Sequence, residues 1–213
     1  MEQKAEKIIK KLRKIYKIEI WKDDPFKVLI ACILSQRTKD EITRKATQKL
    51  FTKASTPKKI LKLKEKEIEK LIYPVGFYRE KAKRIKKICK ILLKQYKGKV
   101  PNQREELLKL PGVGSKTADV VLAYGFGKPV VAVDTHVFHI ARRLGLSKGK
   151  TPEEVRKDLN RIVPKKFRRL VNLLFVEFGK EICRTNKPKC EICPIKQFCE
   201  YSKQKWFQTQ ILV

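Results

Sequence analysis

Three groups of residues have types and spacings that could do chemistry. The first is Lys116, which follows the glycine-bracketed stretch Leu110-Pro111-Gly112-Val113-Gly114. Pro111 cannot sit inside a helix, so it closes the one before it. Gly112 and Gly114 permit a tight turn with amide N–H groups pointing outward. A helix over 115–124 opens at once. Its first N–H groups lack partners and its N-terminus carries partial positive charge, so Gly112, Val113, Gly114 and Ser115 form a ready site for a phosphate. A lysine beside a clamped phosphate can attack a sugar carbon once it has lost its proton. A free lysine holds that proton up to a pKa of about 10.4. The helix N-terminus and the basic chain push this down, whereas Asp119 and Asp134 push it up, and the sequence leaves the balance open. Most of the chain's basic residues are solvated, and Lys116 can be read that way too.

The second is Asp134, at the end of the short apolar run 130–133. It precedes a helix over 135–144 that Gly145 closes, so capping alone explains it. The roles are compatible, because a capping carboxylate at the end of an apolar run can also face a cleft. His136 and His139 are too few for a metal site and read as hydrogen-bonded surface or core residues.

The third is the set Cys183, Cys190, Cys193 and Cys199, spaced C-x6-C-x2-C-x5-C. Four thiols this close point to a metal site, iron–sulfur or zinc equally on chemistry alone. Between the first two lie Arg184, Lys187 and Lys189, a second phosphate contact or an ordinary basic surface. Cys32 and Cys89 stand alone in apolar helical patterns and read as small buried hydrophobes. Two further places fit a protein that fills the gap left by an extruded base. Ser35-Gln36-Arg37-Thr38, with Gln36 and Arg37, ends an apolar helix. Gly76-Phe77-Tyr78 sets Phe77 on a loop, where an isolated aromatic more often tucks into the core.

The elements that must position these groups are helical. Asp24-Pro25 opens a helix over 26–34 as cap and first residue, and Thr56-Pro57 and Thr151-Pro152 repeat the device, with Glu154 completing a capping box. Asn102 with Glu105 is another capping box. Residues 79–96 carry apolar positions at 82, 85, 88, 89, 92 and 93, and residues 167–178 read as a buried core helix. In the N-terminal helix Ile8, Ile9, Leu12, Ile15 and Tyr16 form a core-facing stripe. The run 130–133 is too short for a sheet, so the fold class is all-α with short loops.

The chain's 213 residues allow one large domain or two small ones. Lys and Arg number 53 against 22 acids, a net charge of +31. Lys/Glu-rich composition alone marks many solvated surfaces, but an excess this large favours a polyanion partner, foremost nucleic acid. No apolar run spans a membrane and residues 1–17 are no signal peptide. The expected setting is intracellular and reducing, cytoplasmic and nucleoid-associated, where thiols bind metal rather than pair. The tail 206–213 mixes apolar and polar residues and could be a packed end or a partner motif.

At LPGVGSKTA, VAVDTH and the cysteine tail the chain resembles endonuclease III, a helix-hairpin-helix DNA glycosylase/AP lyase of base excision repair. Weaker similarity runs from DPFKVLIACILSQRT through VGFYREKA to Tyr201. The resemblance implies two all-α lobes with a DNA-binding cleft between them. One would be a six-helix barrel at 22–131, and the other, 1–21 plus 132–213, would carry a 4Fe-4S cluster on the four cysteines. It implies that Lys116 attacks C1′ of a flipped nucleotide, expels the base and forms a Schiff base, with Asp134 assisting, before β-elimination cuts 3′ to the sugar. A lysine at 116 favours this bifunctional branch. The family's gap-filling glutamine falls on Arg37, beside Gln36, and its wedge leucine on Phe77. The implied substrate is double-stranded DNA carrying oxidised pyrimidines or abasic sites, bound by a monomer. Two alternatives stay open: a glycosylase of the same fold for another lesion or mismatch, and a non-catalytic DNA-binding module.

Overall fold

The computed structural model describes residues 1–203, and every regular element among them is helical. The tail 206–213 lies outside them. None of these helices is long and apolar enough to cross a membrane. The chain divides into two compact units: Lys22–Gly127, and Met1–Trp21 together with the chain from Lys128 onward.

In the discontinuous unit, α1 (Glu2–Tyr16) buries Ala5, Ile8, Ile9 and Leu12. Ile15, expected on that stripe, is 46% exposed, while Tyr16 beside it and Ile18 beyond it pack against the core, so Ile15 lies at the margin of the buried face. In the unit Lys22–Gly127, α2 (Pro25–Ser35) is the central helix, with Leu29, Ile30, Ile33 and Leu34 fully buried. Asp24 starts it by accepting from Phe26 N–H at 2.9 Å and Lys27 N–H at 3.0 Å. Around it lie α3 (Asp40–Lys53), α4 (Pro57–Lys62), α5 (Glu65–Ile72) and α6 (Tyr78–Tyr96). The periodicity of α6 places Ala82, Ile85, Ile88, Cys89 and Leu92 in the core, but leaves Leu93 38% exposed.

The next helix, α7 (Arg104–Leu108), starts one residue later than expected. Gln103, not Asn102, is its N-cap and makes no side-chain cap bond. The carboxylate that a capping box would need is then Glu106. That group instead accepts from the Tyr96 hydroxyl at 2.7 Å and pairs with Lys109 at 2.6 Å. After the hairpin comes α8 (Ser115–Val120), which widens into one π turn over Val121–Gly125. Phe126 N–H reaches back five residues to Val121 O at 3.2 Å. Gly125, at the end of that turn, lies so close to Pro25 that a Cβ would stand 2.9 Å from its Cα.

The rest of the discontinuous unit is α9 (Thr135–Arg143), α10 (Pro152–Ile162) and α11 (Arg168–Glu181). In α11, Leu170, Val171, Leu174, Phe175 and Phe178 are at most 1% exposed, forming with α1 and α9 one apolar core. The extended run before α9 forms no sheet. Its main chain is satisfied by amides instead: Asn160 Oδ1 accepts from Val131 N–H at 3.2 Å, and Asn172 Nδ2 donates to Ala132 O at 3.1 Å. Thr151 caps α10 as expected, but Glu154 accepts from Lys150 N–H at 2.6 Å, one residue beyond the box position.

Candidate functional site

The hairpin is anchored from beneath. Leu110 and Val113 are buried, and Val113 N–H donates to Leu110 O at 3.1 Å. Gly112 has φ +79°, a conformation that favours glycine, and a Cβ there would stand 2.5 Å from Arg84 Cδ, so that flexible side chain would have to shift. Gly114 is the N-cap of α8, with nothing within 4 Å of a Cβ position. Behind the turn, Arg104 donates to Ser115 Oγ at 2.5 Å and to Asp119 Oδ1 at 3.2 Å. Asp119, one of two carboxylates that could have governed Lys116, is fully buried and serves this ion pair.

Lys116 is exposed in the first turn of α8. Its charge is felt at Cys32, where it partly offsets the burial that pushes that thiol up to about 12. Asp134 caps α9, its Oδ1 accepting from Val137 N–H at 2.9 Å, so the capping reading holds. His136 packs so tightly on Gly179 that a Cβ would meet its Nδ1 at 2.4 Å. His139 is held below the usual histidine range by burial and then by Arg143 and Arg142.

The segment after α2 is tied to the hairpin. Gln36 Nε2 donates to Gly112 O at 2.9 Å, and Arg84 donates to Gln36 Oε1 at 3.2 Å. Arg37 is exposed, in a left-handed conformation (φ 52°), with its guanidinium 5.8 Å from the centre of the Phe77 ring. Phe77, also left-handed, is 62% exposed and does not tuck into the core.

Sequence reasoning missed Lys81. It is only 3% exposed, and its Nζ donates to Leu34 O at 2.8 Å, Gln36 O at 2.5 Å and Thr38 Oγ1 at 3.2 Å. A signal was present: position 81 is one helical turn before Ile85 on the apolar stripe of α6.

The four tail cysteines line one cavity, walled by Phe178, Ile182 and Pro188. Burial pushes the thiols of Cys183 and Cys199 up, and that of Cys193 to about 11. Among the described residues no three His, Cys, Asp or Glu side chains are grouped to hold a metal ion, so the sulfurs stand around the cavity wall. Arg143, also missed, stitches the loop: its guanidinium donates to Arg184 O and Thr185 O, each at 2.7 Å, and approaches Cys183 Sγ at 3.5 Å. Arg184, Lys187 and Lys189 are all exposed on that loop.

Residues 30–165 match the HhH-GPD superfamily of base excision DNA repair proteins. The chain is 46% identical over 205 residues to endonuclease III of Thermotoga maritima, covering 96% of this chain and 94% of that one. It is 41% identical over 180 residues to endonuclease III of Escherichia coli K12, covering 84% and 85%. Among solved structures it matches a trapped endonuclease III–DNA covalent intermediate with TM-score 0.84 at 36% identity, covering 97% and 99%. A thermostable thymine-DNA glycosylase matches with TM-score 0.83 at 28% identity, covering 95% and 98%.

Proposed function

Because the chain belongs to the endonuclease III family, within the HhH-GPD superfamily of base excision DNA repair proteins, we propose that Lys116 and Asp134 carry a bifunctional DNA glycosylase/AP lyase reaction on damaged duplex DNA. One observation carries this reading: an exposed lysine in the first turn of the helix that a glycine hairpin opens. A phosphate held on the hairpin amides of Gly112, Val113, Gly114 and Ser115 brings the adjoining sugar to that amine. The neutral Nζ forms a bond to C1′ as the N-glycosidic bond breaks, and the base leaves with the bonding pair and takes up a proton. Opening of the sugar ring gives the Schiff base. Loss of a C2′ proton then expels the 3′ phosphate. Asp134 accepts the lysine's proton or stabilises positive charge growing on the sugar. Capping uses one of its oxygens and does not exclude this. Oxidised pyrimidines and abasic sites are the substrates this chemistry suits.

Arg184, Lys187 and Lys189 supply a second set of phosphate contacts, and Gln36, Arg37 and Phe77 line the position of the gap. Cys183, Cys190, Cys193 and Cys199 would hold a 4Fe-4S cluster. An all-thiol donor set around one apolar-walled cavity fits that group. When bound, the cluster supplies a rigid cross-link for the loop that carries the basic residues. Visible absorbance and iron and sulfide analysis of the purified protein test it, and a colourless zinc protein would refute it.

The reaction is tested by borohydride trapping on a duplex with one abasic site, run beside base release from a duplex with one oxidised pyrimidine. The expected result is base release and a covalent adduct that Lys116→Ala abolishes. Neither adduct nor base release from the intact protein would leave DNA binding alone.

A further inference from the structure

The outer face of α1 carries charge that the fold does not neutralise. Lys7, Lys10, Lys11, Arg13 and Lys14 line one concavity together with Phe167. Lys11 is half-buried and the other four cations are exposed. Lys7 stands three and four residues from Lys10 and Lys11, and Lys14 stands at the same spacings from that pair. Like charges at those spacings destabilise a helix. Other exposed lysines are offset by a carboxylate one turn away, as Lys27 is by Asp23 at 2.8 Å and Lys45 by Glu41 at 2.7 Å. Here Glu6 is already shared between Lys10 at 2.9 Å and Lys166 at 3.8 Å. Among the described residues, Lys7, Lys11, Arg13 and Lys14 have no carboxylate within ion-pair reach.

We propose that this face of α1 is a second duplex-DNA contact, one that holds undamaged duplex by its phosphates outside the lesion site. The inference rests on the reading of the chain as an enzyme of duplex DNA. None of these residues belongs to the hairpin, to Lys116 and Asp134, or to the cysteine loop. At a helical rise of 1.5 Å per residue, the row from Lys7 to Lys14 runs about 10.5 Å. A duplex presents one phosphate charge per 1.7 Å of its axis, so about six lie along that length. Lysine is a compact, hydrated point charge on a flexible stem, which suits phosphates and reads no sequence. An acidic protein partner would need an aromatic or aliphatic anchor seated in an apolar pocket. The only apolar side chain lining the concavity is Phe167, which is buried and has Lys166 Nζ 5.1 Å from its ring centre. A polyanion therefore fits the face, and a phosphate backbone relieves the repulsion along the row.

The test replaces Lys7, Lys11 and Lys14 together, once by Gln and once by Arg. Both residues keep helix propensity, and Gln removes the repulsion, so the variants should fold. With undamaged plasmid duplex, the Gln variant should flatten the slope of log K against log salt by about 0.9 per lost contact, about 2.7 for all three. Its affinity should fall at least about tenfold near 0.1 M salt, while the Arg variant should match the wild type within about twofold. The Gln variant should cut an abasic site in a plasmid more slowly at limiting protein. With protein in saturating excess, it should cut a duplex just long enough to cover the lesion site at the wild-type rate. An unchanged slope, an Arg variant as weak as the Gln variant, or a short-duplex rate that falls as far as the plasmid rate overturns the proposal. So does a Gln variant that loses affinity for polyglutamate but not for duplex, which would make the partner an acidic protein. A wild type that cuts neither substrate removes the glycosylase/lyase reading instead, and the salt slope alone then decides this face.

Discussion

Gly112 and Arg84 should be energetically coupled, and the coupling can be worked out from the hairpin. Replacing Gly112 by Ala places a Cβ on a backbone with φ +79°, which costs about 1–2 kcal/mol for an L residue. The same Cβ would stand 2.5 Å from Arg84 Cδ, so Arg84 must move away. That movement breaks its bond to Gln36 Oε1, and a bond with a charged donor contributes about 1.5–3 kcal/mol. Gly112→Ala should therefore destabilise the protein by about 2.5–5 kcal/mol. In an Arg84→Ala background the overlap and the bond are both already gone, and only the backbone term of about 1–2 kcal/mol should remain. Urea unfolding of the four proteins, followed by circular dichroism, measures the coupling. Equal costs in both backgrounds would refute the claim that this glycine is required for Arg84 as well as for φ. Duplex affinity, measured alongside, should fall with Gly112→Ala, since the reshaped turn no longer aims its amides at a phosphate.

Asp134→Asn should keep the α9 cap, since Asn caps as well as Asp, yet lower the cleavage rate by roughly 100- to 10,000-fold; Asp134→Ala should also cost about 1 kcal/mol in stability. A rate for Asp134→Asn near that of the wild type would reduce Asp134 to its capping role. Asp119→Asn leaves the Arg104 guanidinium, 16% exposed, without its counter-charge and should cost about 3–5 kcal/mol, read as a lowered unfolding midpoint. A loss below about 1 kcal/mol would mean that solvent compensates Arg104. Each phosphate contact contributes about −0.9 to the slope of log K against log salt, so replacing Arg184, Lys187 and Lys189 by Ala should flatten that slope by about 0.9 for each true contact. An unchanged slope would remove the loop from the DNA interface.

The parts legible in the sequence are those whose physics is local. Asp24-Pro25, Thr56-Pro57 and Thr151 act on N–H groups within three residues, so their caps could be read directly. The Gly112–Gly114 turn, Asp134 as a cap and the grouping of four cysteines in seventeen positions are equally short-range. The errors also have local causes. Asn102 with Glu105 fits the capping-box spacing, but the helix starts one residue later, with Gln103 as its N-cap. Ile15 fits the apolar spacing of α1 but lies at the margin of its buried face, while Tyr16 packs on the core.

Composition and short-range pattern alone determined that this chain is helical, basic, and equipped with a lysine just after a glycine-bracketed turn. Tertiary structure decided which charges serve the fold. Asp119 is given to Arg104, Arg143 to the cysteine loop, and Lys81 to carbonyls 45 and 47 residues away. Among 53 basic residues a buried cation looks like a solvated one, because what separates them is the burial and the acceptors that distant parts of the chain supply.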